Sequence, residues 1–146
     1  MKKTVLLFAC LFILQITTMR ADNDRPIAVT QLPIAAQQFI KRHFPESRIA
    51  LVKKEVDFLY KSYEVIFTDG KKVEFDKKGQ WKDVDCKFSA VPMDIVPAPI
   101  LNHIQSVYPG TKVVHIDRDK DEYDLQLSNR VELVFDSRFN LIDIDD

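Results

Sequence analysis

The chain has 146 residues, with 21 basic and 22 acidic side chains, a formal net charge of −1 and 46% hydrophobic residues. That length and composition support one sizeable core without a disulfide scaffold, and no excess of positive charge marks the chain for nucleic acid. Three glycines are too few for a glycine-rich phosphate cradle.

The first segment concerns the compartment. Lys2 and Lys3 precede the apolar run VLLFACLFIL, which gives way to the more polar QITTMRA. A short positive region, an apolar core and a small residue before the polar chain read as a secretory signal peptide over residues 1–21, cleaved near Ala21–Asp22. An uncleaved anchor is the alternative, but the run falls short of the roughly 20 residues that span a bilayer. Cys10 lacks the context of a lipid-attachment cysteine. Cleavage would remove Lys2, Lys3 and Arg20 and no acid, leaving a balance of about −4 that disfavours nucleic acid and anionic membranes. The expectation is a periplasmic or secreted protein with no membrane span after cleavage, in which Cys86 is a lone, buried cysteine.

From residue 22 onward the chain is self-similar. LPIAAQQFIKRHFP (Leu32 to Pro45) aligns with VPAPILNHIQSVYP (Val96 to Pro109), and YEVIFTDGKKVEFDKKGQWKDVD (Tyr63 to Asp85) with YDLQLSNRVELVFDSRFNLIDID (Tyr123 to Asp145). The offset falls from 64 to 60 between the blocks, so the second copy is shorter by four residues near Phe58 to Lys61.

Each copy opens with a helix. A proline suits its start, and Pro45 or Pro109 ends it. Ile34, Ala35, Phe39 and Ile40 recur at helical spacing, as do Ile100, Leu101, Ile104, Val107 and Tyr108. Four strands follow each helix, near 49–56, 60–68, 71–76 and 80–86, then near 112–117, 121–128, 131–136 and 139–145. Asp69–Gly70 is a tight-hairpin signal. Alternation puts Tyr63, Val65, Phe67, Val73 and Phe75, with Tyr123, Leu125, Leu127, Leu133 and Phe135, on the faces that take the helices. The other faces carry Glu64, Lys72, Glu74, Asp76, Asp83 and Asp85, with Ile66, Trp81 and Val134 among them. The expected fold is α+β: a tandem repeat of two α-β4 modules, residues 22–88 and 89–146, each an antiparallel sheet covered by one helix. Whether the two sheets join edge to edge or face one another stays open.

The opening LPxxxxxFIxxxFP and the stretch YxVxFxDGxxVEFDxxGxW (Tyr63 to Trp81) resemble the PepSY-like exported proteins, whose architecture is that of the β-lactamase-inhibitory protein. The resemblance covers nearly all of the chain after residue 21. It implies tandem α-β4 modules presenting a broad sheet and, for function, inhibition of a peptidase or another enzyme. The second copy departs from it: Arg130, Phe139 and Leu141 stand where the first has Gly70, Gly79 and Trp81.

The chemistry-bearing residues form no catalytic motif. His43, His103 and His115 have no counterparts in the repeat, and neither HExxH nor paired-cysteine spacing occurs. No serine sits in a GxSxG elbow. The expectation is a non-enzyme without cofactor or resident metal; an enzyme of unrecognised type would need a deep pocket with convergent polar groups. Asp83 and Asp85, and likewise Asp143 and Asp145, share strand faces. They are weak calcium candidates, set against the simpler reading that they keep the face soluble. For partner binding, Trp81 shares parity with Asp83 and is expected on or beside the wet face, unless it fills the joint between modules. Ile66 and Val134 are expected on that face. Phe58, Leu59 and Tyr60 form either a protruding apolar hairpin tip or a contact with the second module. The function these readings favour is an exported binding module for a protein or peptide, with an inhibitor or regulator as its specific form. The alternative is a calcium-dependent or small-ligand envelope sensor.

Overall fold

A computed structural model describes residues 24–146; the expected signal peptide, and Cys10 within it, lie outside the described residues. Nine strands form one antiparallel sheet in strict chain order. They are β1 (Asp24–Pro26), β2 (Ile49–Asp57), β3 (Tyr60–Phe67), β4 (Lys72–Asp76), β5 (Trp81–Asp85), β6 (Val113–Arg118), β7 (Glu122–Leu127), β8 (Glu132–Asp136) and β9 (Leu141–Asp145). Helix α1 (Ile34–His43) precedes β2, and α2 (Ala98–Val107) precedes β6. Two short 3-10 turns, Val29–Gln31 and Met93–Ile95, lead into the helices. The sheets of the two halves join edge to edge: β5 pairs with β6 through Asp83–Asp117, Val84–Ile116 and Asp85–His115.

Both helices lie on the face that alternation assigns to the core. Phe39 meets Phe75 edge-on at 5.4 Å between ring centroids, and Phe44 meets Phe67 at 5.2 Å. Val65, Val73, Phe75, Val84, Ile100, Ile116 and Leu133 are fully buried. Each large side chain buried there contributes about 1.5–3 kcal/mol. The helices begin one residue later than the prolines suggest, with Pro33 and Pro97 as caps. They stop at His43 and Val107 because Phe44 and Tyr108 precede prolines and turn away from helical geometry. Ile34 is 67% exposed and does not join the helix stripe; Ala36, fully buried, takes that place.

Trp81 corrects a reading by parity. It is 9% exposed and belongs to the helix-side core, not the wet face. A register shift lies between Glu74 and Phe75, so Asp83 faces Glu74 while Trp81 faces Phe75. That bulge inserts Lys82 and reverses the parity between Asp83 and Trp81. Trp81 instead sits beside the junction of the halves: the Arg118 guanidinium stacks 3.8 Å from its ring centroid and donates through Nε to its carbonyl oxygen at 2.8 Å. The same shift recurs between Val134 and Phe135, where Leu141 faces Phe135.

Candidate functional site

The uncovered face carries a row of acids that the sequence pattern alone does not reveal. The registers set Glu64 opposite Glu74, Glu74 opposite Asp83, Asp83 opposite Asp117 and Asp117 opposite Asp124. Five carboxylates thus stand side by side across β3 to β7, with strands roughly 5 Å apart. Like charges directly opposite destabilise a sheet, so this face carries a cost that a random polar surface would not. The signal lay in the junction: only the β5–β6 pairing brings Asp117 and Asp124 into line with Asp83.

Cations answer part of the charge. Lys72 lies 3.7 Å from Glu64, and His115 Nε2 bonds both oxygens of Asp83 at 3.0 and 3.1 Å. This bond raises the His115 pKa above its ordinary value. Lys82 reaches the Tyr60 hydroxyl, which donates to Glu74 Oε1 at 3.3 Å. Burial, with the charges of Asp124 and Asp83, pushes the Asp117 carboxyl up to about 6. Burial also raises Glu74, with Asp83 and Glu64 adding to it. Hollows of about 190–210 Å3 open along the row, one lined by Glu64, Glu74, Asp83 and His115 and another by Asp117, Asp124 and Val134.

The other candidates divide. Phe58 and Leu59, the two-residue loop between β2 and β3, are 94% and 90% exposed, and Tyr60 is 40% exposed. The tip therefore protrudes without packing on the second half, and Tyr60 links it to the acid row. Ile66 and Val134 lie half-buried on the uncovered face. Asp83 and Asp85 sit on β5, four strands away from Asp143 and Asp145 on β9. They cannot share an ion, and among the described residues no three His, Cys, Asp or Glu side chains are placed to hold a metal. Asp85 is engaged by Lys87 at 2.8 Å. Cys86 is buried, and burial pushes its thiol up to about 11, away from nucleophilic use. An open recess of about 650 Å3 at the other end of the strands is lined by Phe88, Ser128, Arg130, Glu132 and Asp145, and the Ser128 hydroxyl oxygen there accepts from the Lys112 N–H at 3.0 Å. No helix among the described residues is long and apolar enough to cross a membrane.

A family model described as "Putative beta-lactamase-inhibitor-like, PepSY-like" matches residues 61–143. Three crystal structures share the fold. A "putative calcium-regulated periplasmic protein" from Bacteroides thetaiotaomicron is 62% identical, with a TM-score of 0.84 over 86% of this chain and 99% of that chain. A "putative periplasmic protein" from Bacteroides vulgatus is 53% identical, with a TM-score of 0.84 and the same coverage. Another from that organism, of unknown function, is 35% identical, with a TM-score of 0.80 over 84% of this chain and 99% of that chain. No curated protein matches the chain.

Proposed function

The chain belongs to the PepSY-like, β-lactamase-inhibitor-like family, and on that premise we propose that it is an exported, non-enzymatic binding module whose acid row holds the basic side chains of a protein partner. Export to the periplasm is supported by the signal-like first 21 residues and by the compartment of the similar Bacteroides proteins. The observation that carries the reading is the alignment of Glu64, Glu74, Asp83, Asp117 and Asp124 across five neighbouring strands. A cationic partner relieves the repulsion that the empty face carries. The Phe58–Leu59 tip supplies an apolar anchor at the same end of the sheet as Tyr60 and Lys82. Inhibition or regulation of an envelope enzyme is the specific form of this reading.

The chain is read as two α-β4 modules, residues 22–88 and 89–146, fused through β5 and β6. The shared element order, the matching bulges and the paired hairpins support it.

The test is cross-linked capture from the host envelope, with the protein beside Asp117→Asn/Asp124→Asn and Phe58→Ser/Leu59→Ser variants confirmed to be folded. A partner lost by both variants, and released by salt as exposed ion pairs are, supports the reading. A partner retained by both, or capture insensitive to salt, overturns it.

A second reading follows from the same crowding of carboxylates: a calcium-responsive face. The Bacteroides thetaiotaomicron protein described as calcium-regulated makes it specific. The described residues form no ready cage, so the response would be weak, in the range of about 10⁻⁴–10⁻³ M that suits extracellular modules. A melting temperature raised by calcium and not by equal ionic strength of potassium would favour this reading. An unchanged melting temperature removes it.

A further inference from the structure

The outer side of β9 is the free edge of the sheet: among the described residues no strand pairs there. The opposite edge differs in kind, because β1 is three residues long and ends in Pro26, which has no N–H to offer. β9 runs five residues without proline, and its residues Ile142 to Asp145 are all exposed, Ile142 at 52% and Ile144 at 47%. An edge of this length with exposed isoleucines is a template for another strand unless something guards it.

The guard is acidic. Asp143 and Asp145 lie on β9, Glu132 is paired with Asp145, and no basic residue lies on β9. None of the three enters an ion pair among the described residues. Moreover, the Ile144 N–H donates to Asp143 Oδ1 at 2.9 Å, so a carboxylate masks that amide. An incoming strand must displace the carboxylate. A neutral or acidic strand leaves Asp143 uncompensated or repelled. A strand with Lys or Arg opposite Asp143 and Asp145 gives the carboxylates new partners and frees the amide for pairing.

A second copy is the wrong occupant. In an antiparallel pairing of two β9 strands centred on Ile144, each Asp143 faces the other copy's Asp145, and like charges oppose one another. We infer that β9 is a strand-addition site selective for an extended peptide segment that alternates basic and apolar residues. Its apolar side chains would cover Ile144 and Leu141 on the helix side, and its basic ones would meet Asp143 and Asp145 on the other. This inference does not rest on the acid row, which lies across β3 to β7.

The probe is a blocked peptide alternating Lys and Val, with a Glu–Val peptide as its counterpart, added to the isotope-labelled protein. At saturation the Lys–Val peptide is expected to slow amide exchange in residues 141–145 by about tenfold or more, while the Glu–Val peptide leaves it unchanged. An Asp143→Lys/Asp145→Lys variant is expected to reverse the preference; Asp117→Asn/Asp124→Asn is expected to retain it. Absence of protection at 141–145, or protection by both peptides equally, overturns the inference. So does Lys–Val binding that perturbs only the acid row and is lost in the Asp117→Asn/Asp124→Asn variant, an outcome that leaves the proposed function standing.

Discussion

His103 on α2 stands edge-on to Phe135 on β8, with ring centroids 5.5 Å apart and planes at 81°. Phe39 makes the same approach to Phe75 at 5.4 Å and 84°. The imidazole thus occupies the place of a phenyl ring, and its Nε2 is buried without a hydrogen-bond partner. An unmade bond to a buried polar atom costs about 1–3 kcal/mol. His103→Phe is therefore expected to stabilise the protein by about 1–2 kcal/mol, read as a raised urea midpoint with an unchanged slope. A lower midpoint would mean that the pocket under α2 is shaped for the smaller ring.

Gly79 and Gly70 separate close approach from backbone conformation. Both have positive φ, +83° and +91°. A Cβ on Gly79 would lie 2.8 Å from Pro33 Cβ and 2.9 Å from the Ala36 backbone nitrogen, whereas one on Gly70 meets nothing within 4 Å. Gly79→Ala is expected to cost about 2–4 kcal/mol, from left-handed strain plus displacement of the α1 start. Gly70→Ala is expected to cost only about 1 kcal/mol. Equal losses in thermal melts would show that α1 yields freely.

Among the described residues, both helices and eight of the nine strands follow from periodicity. The length difference near Phe58 to Lys61 leaves open whether that hairpin protrudes or packs, and only its exposure in the structure decides for protrusion. Periodicity reports which side chains want burial, and Tyr63, Val65, Phe67, Val73 and Phe75 are all buried. It does not report a bulge. Trp81 keeps the parity of Asp83 in sequence and loses it in space, because Lys82 is an extra residue against Glu74. β1 is held by pairing with Glu55, Lys54 and Lys53 rather than by any pattern of its own. The acid row is a property of register across the β5–β6 junction, and a single sequence holds no record of which residues oppose one another there.

The two aromatic candidates should part company under mutation. Trp81 is packed against the core and under Arg118, so Trp81→Ala is expected to cost about 3–5 kcal/mol. Phe58 and Leu59 touch little, so Phe58→Ser/Leu59→Ser is expected to change stability by less than about 0.5 kcal/mol while abolishing partner capture. Chemical denaturation of both variants decides it. A tip variant that unfolds as readily as Trp81→Ala would assign the tip to the fold rather than to binding.

Asp117 makes stability fall as pH rises. Its carboxyl titrates near 6 in the fold against an ordinary 3.8, so between about pH 4 and 6 the folded state holds a proton that the unfolded state has released. Fewer protons on the unfolded chain mean that unfolding becomes easier with rising pH across that window, and the loss is complete above it. Partial exposure discounts the effect to about 1–2 kcal/mol. His115 adds a second decline. Its pKa is raised first by the bond to Asp83, so its contribution is full below about 6.5 and is lost as pH climbs through its higher folded value. Asp117→Asn is expected to match the parent near pH 4 and to exceed it by about 1–2 kcal/mol at pH 7, with the second decline intact. Asp83→Asn is expected to remove that second decline. Urea midpoints taken from pH 4 to 8 measure both, and an Asp117→Asn variant offset from the parent by a constant amount would show that Asp117 is not the group that titrates.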